Sequence, residues 1–535
     1  MTVNQKPATR FWNLVREERS DISAIYFFAI LGGLIQLSLP VGIQAIIGYV
    51  LGGTLSASLV VLISILVLAV LSAGFVQIAQ MKVIERIQQR IFVKYSYAFA
   101  DRIPKLDLKK IDSFYLPELV NRFFDTTSLQ KSLSKILLEI PAAMIQVVFG
   151  LLLLSFYHPF FISFGILLLL LLWLILYYTG NKGMQSSLEE SRHKYSVAGW
   201  LEELARMVKA FKATADSGLH LKKTNEKTIS YLEARTAHFK VLLLQYKTLI
   251  FFKVAITAAM LILGVSLLLS QEINIGQFSI INAIEKTIIN LDEVYDIQTA
   301  IEKLSKLTEK PVEHSGSYIL TAGDGGLEIR ARKLSFQYNS NSLILHDLSF
   351  SIQPGQKVAL SGDDGAGKST LLRILLGIYN DYSGTLTING IPLGNFNIES
   401  LRKETGIFFP QENIFHGTLW ENITMGRENI DHGYVNKLAS QIGLHHFLSS
   451  QPFGYDTELD PTGKRLPRNV IQKILLMRAL AHKPRLIIME EPWQGVEQQY
   501  ARNIQNLLLQ MDHATIIIAT NDSTYLAGSH QVIHL

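Results

Sequence analysis

The clearest chemistry in the sequence belongs to one short run that matches the phosphate-loop pattern G-x-x-x-x-G-K-[ST]. An apolar stretch that predicts a buried strand precedes the run, and residues 371–379 predict a helix after it. The amides of such a loop point at phosphate oxygens, and the helix N-terminus adds its dipole. We expect Lys368 to neutralise the β- and γ-phosphates and Ser369 to coordinate Mg²⁺. The predicted nucleotide-binding residues of the loop are Gly362, Asp363, Asp364, Gly365, Ala366, Gly367, Lys368, Ser369 and Thr370.

A pair of carboxylates, Glu490 and Glu491, directly follows the four apolar residues 486–489. In phosphoryl-transfer sites of this type the first carboxylate holds Mg²⁺ and the second polarises the attacking water as a general base. The alternative is an acidic pair that is merely solvated. Its position after an apolar strand, downstream of a phosphate loop, favours the magnesium and general-base roles.

The elements that position these groups begin after a glycine-rich segment. Alternating residues over 327–338, then 348–352 and 357–361, predict strands, and residues 371–379 predict a helix. Strands alternating with helices indicate an α/β domain. We therefore predict a linker over 311–326 and an α/β P-loop nucleotide-binding domain over 327–535.

The composition indicates a second, different half. The 535 residues are 48% hydrophobic and 18% charged, with a net charge of +5 and no cysteine, and the mean hydropathy is +0.23. This is too apolar for a soluble multidomain enzyme and too polar for an all-membrane chain. The lack of cysteine excludes disulfides, thiolate metal sites and a thiol peptidase within this chain. The charge does not argue for nucleic acid, which we do not expect as a partner.

Six stretches predict membrane-spanning helices, each near the ~20 apolar residues that a crossing needs. The sixth is weaker because it contains Glu285, Lys286 and Asn290. They make up an α-helical polytopic domain that we place at residues 21–310. The predicted spans are 22–51, 58–79, 136–156, 160–178, 249–269 and 273–294.

Lysine and arginine set the expected orientation. The three short connections between spans contain neither residue, whereas the arm 1–20 and the long connections 80–135 and 180–247 are rich in both. By the positive-inside rule the arm, both long connections and the following ATPase domain are cytoplasmic. We expect the long connections to be helices that continue from the spans. They are either solvated hairpins or, through hinges such as 116–119, contacts for a partner domain.

The motifs together resemble a half-size ABC transporter of the exporter type, over nearly the whole chain. The resemblance implies six membrane helices fused to an ATPase domain, ATP and Mg²⁺ as cofactors, and function as a dimer. It gives Tyr338 the role of stacking on adenine and makes Gln411 the Q-loop residue that senses Mg²⁺ and the membrane domain. Residues 200–211 look like the second coupling region. The membrane domain is most similar to type I secretion exporters, which implies a bacterial inner-membrane location and a periplasmic adaptor among the partners.

The signature that caps ATP across the dimer departs from the family pattern. Where the family has Leu-Ser-Gly-Gly-Gln, this chain has Leu466, Pro467, Arg468, Asn469 and Val470. Glycine is absent, and Pro467 lacks an amide donor. Either Arg468 compensates as an arginine finger on the partner's γ-phosphate, or it is a solvent-facing residue at a helix start.

Three further positions depart from the pattern. Glu490 replaces the magnesium-side aspartate, and Glu497 replaces the aspartate of the following loop. Asn521, or Thr520 if the register shifts by one, stands in place of the switch histidine; asparagine donates a hydrogen bond but cannot titrate. Losing one such donor typically costs ~10²–10³ in rate, so we expect ATP binding with slow hydrolysis.

Two charged residues fall within predicted spans, Lys253 in the fifth and Glu285 in the sixth. At ~1.5 Å per residue from the intervening turn they reach a similar depth. They either pair in a substrate path or gate, or sit at the cytoplasmic interface on protruding helices.

Two functions remain from these observations. The first is an ATP-driven exporter, with peptide or protein as the favoured substrate and lipid or drug as alternatives. The second is a regulatory half-subunit that binds ATP with little turnover, in a heterodimer whose partner supplies an intact signature. In both, the partners are a second half-transporter and the lipid bilayer.

Overall fold

The computed structural model describes residues 7–51, 57–111, 120–157, 160–213, 218–269, 291–338, 343–460 and 466–535. The chain divides into two compact units. One comprises Met1–Lys105 and Ser113–Lys310, and the other comprises Leu106–Asp112 and Pro311–Leu535.

The first unit is built from long helices. Three of them exceed 45 residues because apolar spans continue without a break into polar sequence of high helical propensity. In chain order, the helices that the structure describes as far as Thr308 are α1 Pro7–Glu17, α2 Arg19–Leu51, α3 Ala57–Arg102, α4 Leu108–Ile111 (in the second unit), α5 Asp125–Tyr157, α6 Phe160–Arg206, α7 Val208–Ala213, α8 Leu219–Leu269 and α9 Leu291–Thr308. Short 3₁₀ turns cover Ile103–Lys105 and Arg122–Phe124.

Five of the predicted spans lie within α2, α3, α5, α6 and α8. By length and hydropathy, one helix of the described part, Ala57–Lys105, qualifies as a membrane crossing by itself. The sixth predicted span falls almost wholly outside the described residues, as does Glu285. Lys253 lies on α8.

The buried core of this unit joins four helices near their polar ends. Ile25 of α2, Ile87 of α3, Leu129 of α5 and Leu304 of α9 are each almost fully buried within one cluster. Their 3–4-residue spacing with neighbouring apolar residues gives each helix one apolar face. The described residues of the long connections are largely helical, as predicted, and these faces pack the first connection, on α3 and α5, against α2 and α9.

The second predicted coupling region contains a break in the helix. Helix α6 ends at Arg206, and α7 restarts at Val208. Buried Trp200 donates its indole N–H to Thr224 Oγ1 at 3.0 Å and packs edge-to-face on Phe211. The first predicted hinge, 116–119, lies outside the described residues.

The second unit is α/β, as predicted. Its strands are β1 Ile329–Gln337, β2 Leu343–Ile352, β3 Lys357–Ser361, β4 Ser383–Ile388, β5 Ile391–Pro392, β6 Thr405–Phe408, β7 Gly417–Thr418, β8 Glu458–Leu459, β9 Leu486–Glu490, β10 Thr515–Ala519 and β11 Gln531–His534. Its remaining helices are α10 Lys368–Leu375, α11 Ile398–Lys403, α12 Leu419–Thr424, α13 His432–Ile442, α14 His445–Ser450, α15 Arg468–Leu480, α16 Gln498–Leu509 and α17 Ser523–Gly528.

A parallel sheet in the order β11-β3-β10-β9-β6 forms the centre of this unit. Its central strands β9 and β10 are largely apolar and buried, as expected of a parallel sheet that is covered on both faces. The register pairs Ala519 with both Glu490 and Leu360. The loops that follow β3, β9 and β10 therefore leave the sheet side by side, at the edge where ligands bind in open α/β sheets.

An antiparallel sheet in the order β2-β1-β4-β5 lies beside it, and β7 pairs with β8. Residues from the first long connection also belong to this unit. Leu106 forms an antiparallel bridge with Val312, and Lys109 lies 3.3 Å from the Asp381 carboxylate.

Candidate nucleotide-binding site

The phosphate loop joins β3 to α10, as its pattern predicts. Gly367 caps the helix with a φ of +96°, a left-handed conformation that side chains rarely adopt. A Cβ at this position would lie 2.8 Å from Leu345 Cδ2. Glycine is thus required here both by the backbone and by the close approach of β2.

Lys368 lies folded over the loop. Its Nζ donates to the carbonyl oxygens of Gly362 at 2.5 Å and Asp363 at 2.9 Å. The Asp363 carbonyl also accepts from the Ala366 amide, while the side chains of Asp363 and Asp364 are exposed. The ammonium is held at the centre of the loop, where a phosphate oxygen can replace a carbonyl partner.

Ser369 and Glu490 come together although they are far apart in the sequence. Ser369 Oγ donates to Glu490 Oε1 at 2.5 Å, and Glu490 Oε2 is buried with no hydrogen-bond partner among the described residues. A hydroxyl and an unpartnered carboxylate oxygen are the oxygen ligands that Mg²⁺ prefers. The residues present therefore fit a magnesium ion, with Glu490 in the position predicted for it.

Glu491 has a backbone conformation that is rare for its residue type. Its φ is +42°, although it is not a glycine. Its amide donates to the Ala519 carbonyl at 3.0 Å, which fixes the turn against the end of β10. Strained non-glycine residues cluster at functional sites, and this strain directs Glu491 away from the course of the strand.

Thr520 holds the Glu491 carboxylate. The fully buried Thr520 donates its hydroxyl to Glu491 Oε2 at 3.0 Å. Burial raises the pKa of Glu491 above its ordinary value, and the bonds from Thr520 and the Asn521 backbone oppose that shift. The result is a carboxylate of raised basicity in a fixed orientation, which suits a general base.

Asn521 is turned onto the phosphate loop. Its Oδ1 accepts from Ser361 Oγ at 3.0 Å and from the Gly362 amide at 3.2 Å, and its Nδ2 donates to the Gly362 carbonyl at 3.0 Å. Both polar atoms of its side chain thus bind the start of the loop. In this arrangement Asn521 braces the loop, and the adjacent Thr520 contacts the general base.

Tyr338, the predicted adenine contact, lies against the helix of the phosphate loop. Its hydroxyl is 3.0 Å from Thr370 Oγ1, and its ring packs edge-to-face on Phe336 and Tyr379. The side chain is partly exposed. This aromatic cluster sits next to the loop, where a base attached to bound phosphates has a surface to stack on.

Gln411 makes its side-chain hydrogen bond with α10. It is exposed in the turn after β6, and its side-chain oxygen accepts from Arg373 at 3.5 Å. Of the three predicted magnesium ligands, Ser369 and Glu490 are hydrogen-bonded to each other, whereas Gln411 bonds Arg373.

Two residues that sequence reasoning missed tie the Gln411 loop to the signature helix. Fully buried Asn422 bonds the backbone of Phe415 and Thr418, and Arg478 donates to the Asn422 carbonyl at 2.8 Å. Arg478 lies on α15, the helix that follows the signature. A buried polar residue within an otherwise apolar helical pattern was the available signal for Asn422.

The signature segment makes its bonds within its own chain. Helix α15 has Pro467 as its N-cap, without a side-chain cap, and Arg468 is exposed. Asn469 Nδ2 donates to Glu497 Oε1 at 2.7 Å, and buried Lys473 contacts Glu497 Oε2 at 2.7 Å. The Lys473 contact and the Asn469 bond lower the pKa of Glu497. Asn469 of the signature segment and Glu497 of the loop between β9 and α16 are thus hydrogen-bonded to each other.

Comparison with known proteins agrees with this geometry. Residues 345–494 match the family model for the ABC transporter ATPase domain, and residues 22–291 match the model for the ABC transporter transmembrane region. The transmembrane match alone spans half of the chain. A solved structure of a bacterial Atm1-family ABC exporter with ATP bound superposes with a TM-score of 0.82, at 19% identity, over 97% of this chain and 93% of that one. This likeness shows the fold.

Two relatives differ in how much of the chain they match. An ATP-dependent lipid A-core flippase of Saccharophagus degradans is 33% identical over 213 residues, 39% of this chain and 36% of the flippase. A lactococcin-A transport/processing ATP-binding protein of Lactococcus lactis is 23% identical over 544 residues, 98% of this chain and 74% of that protein. The first of these alignments spans little more than a third of its relative. Taken with the membrane helices and the nucleotide site, the family matches establish that the chain belongs to the ABC transporters, as an integral membrane protein with a transmembrane region fused to an ABC ATPase domain.

Proposed function

We propose that this chain is one half of an ATP-driven exporter that hydrolyses ATP slowly and moves a polypeptide out of the cytoplasm. The observation that carries the ATPase part is the position of Lys368 after β3 and of Glu490 and Glu491 at the end of β9, two parallel strands that both pair with β10. The type of each residue suits the role proposed for it. ATP and Mg²⁺ are the cofactors of this proposal.

The chain's residues divide the work of hydrolysis. The amides of the phosphate loop and Lys368 bind the phosphates, and Tyr338 offers its ring to the base. Ser369 and Glu490 hold Mg²⁺, which neutralises the developing phosphate charge when bound. Glu491 takes the proton of the water whose oxygen attacks the γ-phosphorus, while the bond to the β–γ bridging oxygen breaks and ADP leaves. Thr520 orients Glu491, and Asn521 steadies the loop.

Two further roles involve a second half-transporter: passing motion between domains and completing the ATP site of the partner subunit. We assign the passing of motion between domains to Gln411 and to the region around Trp200, the roles that the family resemblance implies for them. Arg468 is exposed at the start of α15, where its guanidinium is available to a γ-phosphate bound by a partner subunit. The working unit is a dimer, homomeric or paired with a half that has an intact signature. It sits in the bacterial inner membrane with the ATPase domain in the cytoplasm, and a periplasmic adaptor is a further expected partner.

A polypeptide is favoured as substrate because the relative named for lactococcin-A transport aligns over 98% of this chain, including the membrane region. The relative named as a lipid A-core flippase aligns over 39%, so lipid is the alternative, with drugs a further one. Lys253 and Glu285, on the fifth and sixth predicted spans, are candidates for a substrate path or gate.

A second candidate function is a regulatory half that binds ATP with little turnover. The contact of Glu497 with Asn469 and Lys473 favours it, because these groups are occupied within one chain. In this function the chain binds ATP with little hydrolysis, and turnover depends on the intact signature of a partner subunit.

The experiment that tests the exporter function uses the full chain reconstituted alone into liposomes. We expect ATP-dependent uptake of secreted peptides into inverted vesicles, together with Mg-ATPase activity that Glu491→Gln abolishes. ATP binding with no turnover above the Glu491→Gln background would instead support the regulatory half. Turnover with lipid movement and no peptide uptake would overturn the polypeptide assignment.

A further inference from the structure

Several charged residues of α1 and of the start of α2 form ion pairs with neighbouring helices. Arg10 of α1 binds two acids of α9, Glu302 at 2.7 Å and Glu309 at 2.5 Å. Glu18 and Asp21 bind Arg90 of α3 at 3.0 and 2.6 Å. The nearby Glu17 pairs with Lys94. Each of these acids is therefore neutralised by a neighbouring helix of the unit.

Two arginines of the same segment, Arg16 and Arg19, differ from Arg10 in their surroundings. Arg16 and Arg19 are exposed and have no ion-pair partner among the described residues. Both line a groove of about 490 Å³ together with Trp12, Ile22 and Tyr26. These positions recur every three or four residues along the end of α1 and the start of α2. The segment thus has, beside an apolar groove, two cations without an ion-pair partner in the part of the chain that the structure describes.

The groove lies where a membrane surface is expected. Helix α2 contains the first predicted span, which starts at Ile22 at the cytoplasmic end. Trp12 is 65% exposed and Tyr26 44% exposed, and both residue types concentrate at the membrane–water interface. An exposed aromatic face with adjacent arginines is also the pattern of helices that lie in this interface.

We propose that this groove is a binding site for an anionic phospholipid of the cytoplasmic leaflet. The guanidinium groups of Arg16 and Arg19 hydrogen-bond the headgroup phosphate, a partner that guanidinium matches in shape and charge. An acyl chain lies along Trp12, Val15 and Ile22. The choice of an anionic lipid follows from charge complementarity: two cations with no ion-pair partner among the described residues adjoin apolar surface, and Glu17, Glu18 and Asp21 are already paired.

Native mass spectrometry of the full chain, released from bilayers that mix phosphatidylglycerol with phosphatidylcholine, tests this site. We expect phosphatidylglycerol to be enriched on the wild-type chain. A juxtamembrane cation contributes about fivefold in affinity, so Arg16→Gln and Arg19→Gln should each lower the enrichment about fivefold. Lys222→Gln, an exposed cation on α8 about 40 Å along the helix from the fifth predicted span, is the matched control and should leave it unchanged.

Three results would overturn the proposal. One is unchanged enrichment in the Arg16→Gln/Arg19→Gln double variant. Another is an equal loss in Lys222→Gln, which would indicate bulk charge. The third is displacement of the lipid by free glycerol phosphate at equal affinity, which would indicate a site for soluble phosphate. Since neither arginine has an ion pair with another described residue, we expect the variants to insert with the wild-type yield, and thermal unfolding of the full chain checks this.

Discussion

The two sides of the ATPase domain that handle nucleotide are built in opposite ways. On the phosphate-loop side, Lys368 follows β3, whereas Glu490 and Glu491 lie at the end of β9, and one Glu490 oxygen has no partner among the described residues. On the signature side, Asn469 and Glu497 hydrogen-bond each other, and Pro467 offers no amide donor. The comparison shows a polar atom left for a ligand on the first side and polar side chains that bond each other on the second.

The largest effect is expected from removing the general base on the phosphate-loop side. Glu491→Gln removes the general base, and such groups contribute 10²–10⁴ in rate, so steady-state ATPase should fall by about that factor while ATP binding remains. Radiolabelled ATP binding and phosphate release from the same preparation measure both. Glu458→Gln, an exposed acid of β8, should change neither. An equal loss of binding would show that Glu491 has a structural role.

The next effect tests whether the phosphate loop holds the nucleotide. Lys368→Ala removes a charged hydrogen-bond donor worth ~1.5–3 kcal/mol, so ATP affinity should weaken about 10–100-fold. Equilibrium dialysis with ATP measures it. Lys403→Ala, an exposed lysine at the end of α11, serves as the control. Unaltered affinity for Lys368→Ala would contradict the site.

A smaller effect tests whether Thr520 acts on the Glu491 carboxylate. The Glu491 pKa is raised by burial and lowered by the bond from Thr520, and the base works only when deprotonated. The acidic limb of the rate profile should therefore lie above the ordinary carboxyl pKa. Thr520→Val should move that limb to still higher pH and slow the plateau about two- to tenfold, since one hydrogen bond is worth ~0.5–1.5 kcal/mol.

The pH–rate profile distinguishes this role from simple packing. Thr524→Val, at an exposed hydroxyl on α17, should leave the limb in place. If Thr520→Val slows the rate with no shift of the limb, Thr520 does not act on the carboxylate.

The smallest effect concerns the signature side. Glu497→Gln keeps an acceptor for Asn469 and removes the charge that pairs with Lys473. Because Glu497 is half exposed, we expect a loss of less than ~1 kcal/mol. The folded-state pKa of Glu497 is lowered from 4.5, so its contribution is present above that pH and is lost as the pH falls through the folded value. Thermal unfolding at neutral and acidic pH should show the variant and wild type converging in acid; a constant difference would rule out the ion pair as the cause.

The sequence predicted the fold class and the phosphate loop well because both depend on local pattern. A buried strand, a glycine turn and a helix start are adjacent in the chain, so Lys368 and Ser369 needed no tertiary information. The spans were visible in the same way, from apolar length alone.

The remaining parts depend on residues brought together from distant positions. That Thr520 contacts Glu491 follows from the pairing of β10 with β9, and that Asn521 turns onto the loop follows from the next residue pointing the other way. Likewise, the bonds of Glu497 with Asn469 and Lys473 join α15 to the loop before α16. The family resemblance predicted Gln411 as a Mg²⁺-sensing residue, and its hydrogen-bond partner in the fold is Arg373.

The most direct test of the central claim restores the signature. Pro467→Ser, Arg468→Gly and Asn469→Gly together return the hydroxyl and the amides that cap a partner's ATP, and the full chain reconstituted alone is then assayed for Mg-ATPase. Charge-assisted bonds of this kind are worth ~1.5–3 kcal/mol, so the account predicts turnover about 10–100-fold above wild type, with ATP affinity nearly unchanged and the gain abolished by Glu491→Gln. A restored chain that turns over no faster than wild type, while still binding ATP, would contradict the claim that the signature side limits this ATPase.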